Sequence, residues 1–286
     1  MKLDVIFVTH NHETVIKEAY EKVKKELKDT KYKIYFVDNC SSDDTLEIIE
    51  DIHKKDEDHT RIIKLSMETN QNSAIIAGLS FSKNKYAVIY DLDLDFNANI
   101  KKMVNFLETS DKYDSICLCK TVKEDNFFSK NYKKIINSIN FYDYIDGLTN
   151  FRVFNRKMID AILIYSIDNE INSYTFDNIG FNIYYDTIKS TNYNNKNIHI
   201  SSYLQPVVLC MMTGVICNLF AFGFILTSLI LNKISFATMT FFLLFFIAGA
   251  LFILTGIMGR NMLKHIYKKE PNFIIKEKIG FDENVL

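Results

Sequence analysis

The chain has 286 residues, of which 48% are hydrophobic and 24% are charged. This composition excludes a largely disordered chain, and the two prolines and nine glycines exclude a collagen-like or proline-rich one. The 34 basic and 35 acidic residues leave a net charge of −1, so we expect no nucleic-acid partner. The five cysteines fit neither a disulfide framework nor a zinc site, which is typical of a reducing compartment.

The first 90 residues alternate between short apolar runs, typical of buried strands, and segments with apolar residues at helical spacing. The predicted strands are 3–8, 33–37, 61–65 and 86–90, and the predicted helices are 13–28, 46–52 and 73–82. Because single helices separate these strands, we expect an α/β fold with a parallel sheet that binds ligands at its carboxyl edge. After residue 110 a weaker pattern predicts strands 115–119 and 151–154 and helices 129–138 and from 156 onward.

Two long uncharged runs follow, at residues 207–231 and 236–259. A helix as long as the shorter run measures about 36 Å, which exceeds the roughly 30 Å hydrocarbon core of a bilayer. We therefore predict a hairpin of two membrane-spanning helices, with a pair of buried core helices as the alternative. Asn218 lies within the first run, and we expect it to make a helix–helix contact.

The charges that flank this hairpin predict its orientation. Only Lys233 lies in the hairpin turn, whereas six basic residues lie between positions 260 and 278. Since basic residues are retained on the cytosolic side, both flanks are expected in the cytosol, in agreement with an N-terminus that lacks a signal peptide. The predicted organisation is a cytosolic domain at 1–200, a hairpin in the cell (inner) membrane at 201–259, and a basic cytosolic tail at 260–286.

An acidic motif, Asp91-Leu92-Asp93-Leu94-Asp95, follows the fourth predicted strand. Side chains alternate along a strand, so the three aspartates share one face for as long as the extended conformation continues. Their carboxylates repel one another unless a cation lies among them, and Mg²⁺ and Mn²⁺ prefer oxygen ligands. The motif therefore favours a divalent metal site that holds a diphosphate, with a solvated acidic turn as the alternative.

A polar turn, Val37-Asp38-Asn39-Cys40-Ser41-Ser42-Asp43, follows the second predicted strand. A carboxylate or amide at this position can bond the base or ribose of a nucleotide. Taken alone, this turn is better explained by capping of the next helix.

Five motifs in a fixed order carry a resemblance to a known family. They are Val8-Thr9-His10-Asn11-His12, residues 37–43, residues 91–95, Asn150-Phe151-Arg152-Val153-Phe154-Asn155-Arg156, and residues 259–271. These resemble the Pro-x-Tyr-Asn-Glu, Val-Asp-Asp-Gly-Ser-x-Asp, Asp-Ala-Asp-Leu-Gln, Asp-Phe-Arg-Leu-x-Asp-Arg and terminal Gly-x-Tyr-x-x-Arg-x-Tyr motifs of family 2 glycosyltransferases of the GT-A fold. Over nearly its whole length the chain is most similar to membrane-attached polyprenyl-phosphate sugar transferases, such as dolichol-phosphate mannose synthases.

The resemblance implies an inverting transfer of sugar from a UDP- or GDP-sugar to a polyprenyl phosphate at the cytosolic membrane surface. It implies that Mg²⁺ or Mn²⁺ is held by Asp91, Asp93 and Asp95. It implies that the nucleotide sugar contacts Thr9, His10, Asn11, Asp38, Asn39 and Asp91. The catalytic residues that it implies are Asp93, Asn150 and Arg152.

Several residues differ from the family motifs. Val8 replaces a proline, His12 and Asn150 replace acids, Asn39 replaces the second aspartate of a pair, and Met67-Glu68-Thr69-Asn70-Gln71 replaces a stretch with arginine and lysine. A hydroxyl acceptor requires a base, but a phosphate monoester is largely dianionic at pH 7, so Asn150 can serve by orienting the phosphate. Arg152 is a candidate clamp for that phosphate, with a surface arginine as the alternative.

Two other functions stay open at this point. One is a glycosyltransferase that acts on a hydroxyl acceptor, and the other is a non-catalytic membrane-bound scaffold that binds nucleotide sugars. The oligomeric state is also open, with a homo-oligomer among the alternatives.

Overall fold

The computed structural model describes residues 2–94, 99–120, 148–168, 175–188, 204–232, 234–266 and 273–281. The chain divides into two compact units, one formed by residues 1–192 with 271–286 and the other by residues 193–270. The predicted helix at 129–138, Asp95 of the acidic motif and Lys233 of the hairpin turn lie outside the described residues.

The first unit is built on a sheet with helices on both faces. Its strands are β1 (Lys2–Thr9), β2 (Lys31–Asp38), β3 (Thr60–Leu65), β4 (Tyr86–Tyr90), β5 (Ser115–Lys120), β6 (Leu148–Asn155), β7 (Ile183–Ile188) and β8 (Ile275–Ile279). Its helices are α1 (Ile16–Leu27), α2 (Thr45–Lys55), α3 (Gln71–Phe81), α4 (Ile100–Thr109), α5 (Arg156–Asp168) and α6 (Thr175–Asn178). The described strands form one eight-stranded sheet in the order β7-β5-β6-β4-β1-β2-β3-β8.

The sheet is mixed rather than fully parallel. Strands β3, β2, β1 and β4 run parallel to one another, as the alternation of strands and helices predicted. Strand β6 is antiparallel to β4 and β5, and β8 is antiparallel to β3. Strands β5 and β7 are parallel to each other and run in the same direction as β4. The prediction of a mostly parallel sheet is therefore confirmed, and β6 and β8 are its exceptions among the described strands, because an apolar run does not reveal its own direction. The pattern also missed α4, β7 and β8.

Both faces of the central strands are covered. Along β1, Val5 and Phe7 pack on the face that carries α1, α2 and α4, whereas Ile6 packs on the face that carries α3 and α5. Helix α3 lies close to the sheet, since a Cβ atom on Gly78 would be 2.5 Å from Cγ2 of Ile6. Because these strands have no solvated face, they are apolar almost throughout, and most polar side chains lie where the strands end.

Part of the predicted basic tail is a strand of the sheet. Strand β8 pairs with β3, and the N–H of Ser66 donates to the carbonyl oxygen of Ile274 at 2.8 Å. The Nζ of Lys64 on β3 lies 3.0 Å from a carboxylate oxygen of Glu277 and 2.7 Å from one of Glu50. Residues 275–279 therefore belong to the same folded unit as the N-terminal strands.

The second unit contains two long helices, α7 (Leu204–Ile230) and α8 (Phe236–Ile266). Within them, the segments Leu209–Ile230 and Phe236–Gly259 are long and apolar enough to cross a membrane, as judged by length and composition. These segments correspond to the two uncharged runs identified in the sequence.

Small residues bring α7 and α8 close together. A Cβ atom on Gly214 would lie 2.6 Å from the carbonyl oxygen of Gly249, and one on Gly249 would lie 2.7 Å from Nδ2 of Asn218. Asn218 therefore lies in the contact between the two helices, and its expected role there is confirmed.

A cluster of polar side chains connects α1 with the segment between α2 and β3. The carboxylate of Asp56 accepts hydrogen bonds from the hydroxyl of Tyr20 (2.7 Å) and from Nζ of Lys24 (2.9 Å), and it contacts Nδ1 of His59 at 2.6 Å. Burial disfavours the ionised carboxylate, but the hydrogen bonds from Tyr20, His59 and Lys24 outweigh this effect and lower the pKa of Asp56 from 3.8 to about 2.

We expect Asp56→Asn to lower the free energy of unfolding by about 1–3 kcal/mol at pH 7, because it leaves these donors without an ionised partner. Since the folded-state pKa lies below the unfolded value, the stabilisation is present above about pH 4 and is lost as the pH falls toward 2. Urea unfolding of the detergent-solubilised chain, followed by tyrosine fluorescence at pH 7 and pH 2.5, measures the difference between the two proteins. If the free energies of unfolding of the two proteins differ by the same amount at pH 7 and pH 2.5, the role assigned to Asp56 is contradicted.

Candidate active site

The carboxyl ends of β1, β2 and β4 bring the candidate residues together. Thr9, the last residue of β1, is paired with Asp38, the last residue of β2, and Phe7 is paired with Tyr90 at the end of β4. Asp91 is the next residue after β4, so Thr9, Asp38 and Asp91 all lie at one edge of the sheet. Ligands of parallel α/β sheets bind at this edge.

The loops that follow β1 and β2 are held against each other. The N–H of Asn39 donates to the carbonyl oxygen of Thr9, and the carbonyl oxygen of Asn39 lies 2.9 Å from Nδ1 of His10. Asn11 has a φ of 56°, and its Oδ1 accepts a hydrogen bond from the N–H of Ser42 at 2.8 Å. Residues 9–11 are thus bound to the turn after β2, with Thr9 buried, His10 partly exposed and Asn11 exposed.

Asn39 fixes the loop between β3 and α3 to this surface. Its side chain is buried; Nδ2 donates to the carbonyl oxygen of Thr69 at 2.8 Å, and Oδ1 accepts from the N–H of Thr69 at 2.9 Å. A carboxylate can accept but cannot donate, so an asparagine suits this contact better than the aspartate of the family motif. Asp38 is also buried, and its Oδ1 accepts from the N–H of Ser41 at 3.3 Å.

Asp91 is buried and joins β4 to β6. Its Oδ1 accepts from the N–H of Asp93 at 3.1 Å, and its Oδ2 accepts from the N–H of Asn150 at 3.0 Å. Burial raises the pKa of Asp91, and the two hydrogen bonds oppose that effect. Because β4 ends at Tyr90, the alternation predicted to put Asp91 and Asp93 on one strand face is wrong, and the two residues instead form a tight turn.

Asp93 is the open carboxylate of this turn. Its side chain is 64% exposed, and its Oδ1 lies 3.5 Å from Nε2 of His12. The contact with His12 lowers the pKa of Asp93, whereas partial burial acts in the opposite direction. At neutral pH the side chain therefore offers a negatively charged oxygen at the sheet edge.

The chemistry of Asp93 fits a hard divalent cation. Mg²⁺ commonly binds through one or two carboxylates and completes its coordination with substrate phosphates and water. Within the residues that the structure describes, no group of three or more His, Cys, Asp or Glu side chains is arranged to hold a metal ion. Of the two described aspartates in the motif, Asp93 is thus the one that is open to an ion, and Asp91 orients the turn.

Asn150 lies beside this turn, at the start of β6. Its backbone N–H contacts Asp91, and its side-chain Nδ2 donates to Oε1 of Gln71 at 2.8 Å. Gln71 is the first residue of α3 and is exposed. Its backbone is therefore bound to the turn after β4, and its side chain is bound to α3.

Arg152 lies inside the fold rather than at an open surface. Its guanidinium is 2% exposed and forms a bidentate ion pair with Asp177 at 2.7 and 3.1 Å, and it lies 5.3 Å from the ring centre of Phe176. The alternative of a surface arginine is wrong. A phosphate could reach this guanidinium only if the ion pair with Asp177 opened.

A model of the family described as glycosyl transferase family 2 matches residues 4–171, which is more than half of the chain. The chain belongs to glycosyl transferase family 2. Its first unit has the mixed, mostly parallel α/β arrangement of the GT-A fold, so the expected fold class is confirmed.

Three relatives extend this finding. CsbB of Bacillus subtilis (strain 168), provisionally named a glycosyltransferase, is 27% identical over 304 residues that cover 96% of this chain and 91% of CsbB. The undecaprenyl-phosphate 4-deoxy-4-formamido-L-arabinose transferase of Proteus mirabilis (strain HI4320) is 26% identical over 172 residues, 57% of this chain and 51% of its own length. The transferase of the same name from Enterobacter sp. (strain 638) is 22% identical over 310 residues, 98% of this chain and 94% of its own length.

A solved structure is also similar to the chain. The crystal structure of glucosyl-3-phosphoglycerate synthase from Mycobacterium tuberculosis, in complex with Mn²⁺, UDP and phosphoglyceric acid, is 14% identical. The alignment covers 73% of this chain and 76% of that chain, with a TM-score of 0.49.

In this family 2 chain, Cys40 occupies the position of the glycine in the family's Val-Asp-Asp-Gly-Ser motif. Its φ is 59°, in the left-handed region that glycine adopts without strain and that a residue with a Cβ atom does not favour. We expect Cys40→Gly to raise the free energy of unfolding by about 0.5–1 kcal/mol, measured by urea unfolding. Cys40→Ala keeps the Cβ atom and serves as the control; equal stability of the two variants would contradict this account.

Proposed function

We propose that this chain is a membrane-anchored inverting glycosyltransferase that moves a sugar from a nucleotide sugar to a polyprenyl phosphate on the cytosolic face of the cell membrane. The observation that carries the proposal is the hydrogen bond from the backbone N–H of Asn150 to the carboxylate of Asp91, which holds the residues proposed for the acceptor side and the donor side next to each other. The family supports the transferase activity, and the relatives named as undecaprenyl-phosphate transferases support the acceptor.

The donor is proposed to bind along the carboxyl edge of the sheet. The nucleotide of a UDP- or GDP-sugar would lie where β1 and β2 end, against His10 and Asn11. The buried residues Thr9, Asp38 and Asn39 would support this site from below, and Asp91 would lie near the diphosphate. Backbone and side-chain groups in the two interlocked loops are already held in place, so little ordering is required on binding.

Asp93, together with Asp95, is proposed to hold Mg²⁺ or Mn²⁺, and Asp91, which the sequence also suggested as a ligand, is proposed to act by fixing the turn. A divalent ion, when bound, neutralises charge that develops on a leaving diphosphate. Within this chain, the turn that Asp91 stabilises keeps the Asp93 carboxylate at the edge of the sheet.

The acceptor side is proposed to consist of Asn150, supported by Arg152. A phosphate monoester with a second pKa near 6 is largely dianionic at pH 7, so its oxygen can attack without a general base. A neutral amide can orient this dianion without adding repulsion. Arg152 would contribute by fixing β6, which carries Asn150, through its ion pair with Asp177.

The hairpin of α7 and α8 is proposed to anchor the enzyme at the membrane where its lipid acceptor lies. Strands that precede and follow the hairpin, such as β7 and β8, belong to one sheet, so both ends of the hairpin must lie on the same side of any membrane that it spans. The basic residues after position 259 favour the cytosolic side for both ends. Confinement to the membrane raises the effective concentration of the lipid phosphate.

The direct test is an assay of the full-length protein, purified in detergent. The assay would supply Mg²⁺ or Mn²⁺, a panel of UDP- and GDP-sugars, and undecaprenyl phosphate. The glycolipid product would then be measured. Transfer only to an alcohol acceptor would replace the proposal with a hydroxyl-directed glycosyltransferase. Nucleotide-sugar binding without transfer to either acceptor would indicate a non-catalytic scaffold.

We expect Asp93→Ala to reduce the transfer rate by at least about 100-fold, because it removes the open carboxylate that would hold the ion. The rate is measured under saturating donor and acceptor. Asp111→Ala removes an exposed aspartate from a turn outside the site and should leave the rate unchanged. Full activity of Asp93→Ala, with the same thermal unfolding profile as the wild type, would refute the role assigned to Asp93.

Asn150→Asp separates the two acceptor classes. If a phosphate is the nucleophile, we expect the rate to change by less than about tenfold, since no base is required. If the natural acceptor is a hydroxyl, restoring a carboxylate would raise the rate by about 10²–10⁴-fold. An increase of that size with undecaprenyl phosphate would contradict the proposed role of Asn150.

A further inference from the structure

A histidine lies next to the one open carboxylate of the Asp91–Asp93 turn. Nε2 of His12 is 3.5 Å from Oδ1 of Asp93, and the side chain of His12 is only 18% exposed. The family motif has an acid at this position, and an acid there would repel Asp93. We propose that His12 is a positioning residue, which orients the Asp93 carboxylate for a divalent cation; this inference rests on the proposed function.

A backbone hydrogen bond determines which nitrogen of His12 carries the proton. The N–H of His10 donates to Nδ1 of His12 at 3.0 Å. A ring nitrogen that accepts a hydrogen bond carries no hydrogen, so the proton of the neutral ring is on Nε2. This is the nitrogen that lies 3.5 Å from Asp93, so the imidazole presents an N–H group to the carboxylate.

The main chain of His12 is held in place by two helices. Its N–H donates to Oγ1 of Thr45, the first residue of α2, at 2.7 Å. Its carbonyl oxygen accepts from the N–H groups of Val15 (3.1 Å) and Ile16 (3.0 Å), where α1 begins. The ring of His12 is also fixed, through Nδ1. Its Nε2–H group therefore has a defined position, and the exposed side chain of Asp93 orients itself toward that group.

The geometry leaves the second oxygen of Asp93 for a ligand. The imidazole approaches Oδ1, and the backbone of Asp93 is fixed by its bond to Asp91, so Oδ2 is the oxygen that can meet an ion at the sheet edge. Groups that orient a metal-binding carboxylate in this way commonly contribute about 10–100-fold to metal affinity. His12 is expected to contribute within that range.

The test measures binding of Mn²⁺ to the full-length protein by electron paramagnetic resonance, with Mn²⁺ alone and with added UDP or GDP. His12→Leu removes the hydrogen-bond donor, and the side chain of His12→Asn is too short to bring a donor to Asp93. Both variants should bind Mn²⁺ about 10–100-fold more weakly than the wild type. His12→Gln is the matched control, because its amide nitrogen can replace Nε2, and it should retain most of the affinity. Raising the Mn²⁺ concentration should restore the transfer rate of His12→Leu.

The outcomes separate this inference from the proposed function. If the wild type and both loss variants bind Mn²⁺ equally well, only the role of His12 is overturned. If the wild type transfers sugar but binds no Mn²⁺, the metal requirement in the proposed function is refuted and the inference fails with it. Equal loss of affinity in all three His12 variants would also overturn the positioning role, because the donor in His12→Gln would then have no effect.

Discussion

The buried carboxylate of Asp91 is the contact on which the site depends. A carboxylate removed from water is unfavourable unless hydrogen bonds compensate for the lost solvation. Here the compensation comes from the backbone of Asp93 and the backbone of Asn150, which belong to segments far apart in the chain. One side chain therefore sets both the turn that presents Asp93 and the approach of β6. Because β6 runs antiparallel to β4, Asn150 arrives directly beside the end of β4 rather than at the opposite edge of the sheet.

The departures from the family motifs form a consistent set when their charges are considered together. His12, Asn39 and Asn150 replace acids with residues that carry no negative charge, while the segment with Gln71 lacks the arginine and lysine of the family. Fewer negative charges at the site would reduce the repulsion of the diphosphate of the proposed donor, which acts against the lost attraction of the two cations. Asn39 and Asn150 also donate hydrogen bonds that a carboxylate could not, to Thr69 and Gln71 respectively, and Nε2 of His12 lies 3.5 Å from Asp93.

Sequence patterns predicted the first half of the fold well, because β1 to β4 are buried apolar runs separated by single amphipathic or buried helices. They also predicted the edge at which the polar residues meet, since the carboxyl ends of parallel strands coincide. They could not predict that the extended conformation stops at Tyr90, because an Asp-rich segment fits both a strand and a turn. The partners of Asn39, Asp93 and Asn150 were also missed, since each is brought near by tertiary structure alone. The departures from the family motifs at His12 and Gln71 were the available sequence signal of these contacts. A substitution alone, however, does not show which residue its side chain contacts.

Strand β8 shows that part of the predicted basic tail belongs to the sheet. Its sequence, Ile-Lys-Glu-Lys-Ile, is as charged as a solvated tail, yet it pairs with β3 and forms the outer strand of the sheet. An outer strand has backbone groups that can pair with other proteins, and charged side chains oppose such pairing. Lys276 and Lys278 are exposed there, while Lys64 beneath them binds Glu277 and Glu50. The same lysines that support the proposed cytosolic location of the hairpin flanks therefore also suit the edge of the sheet.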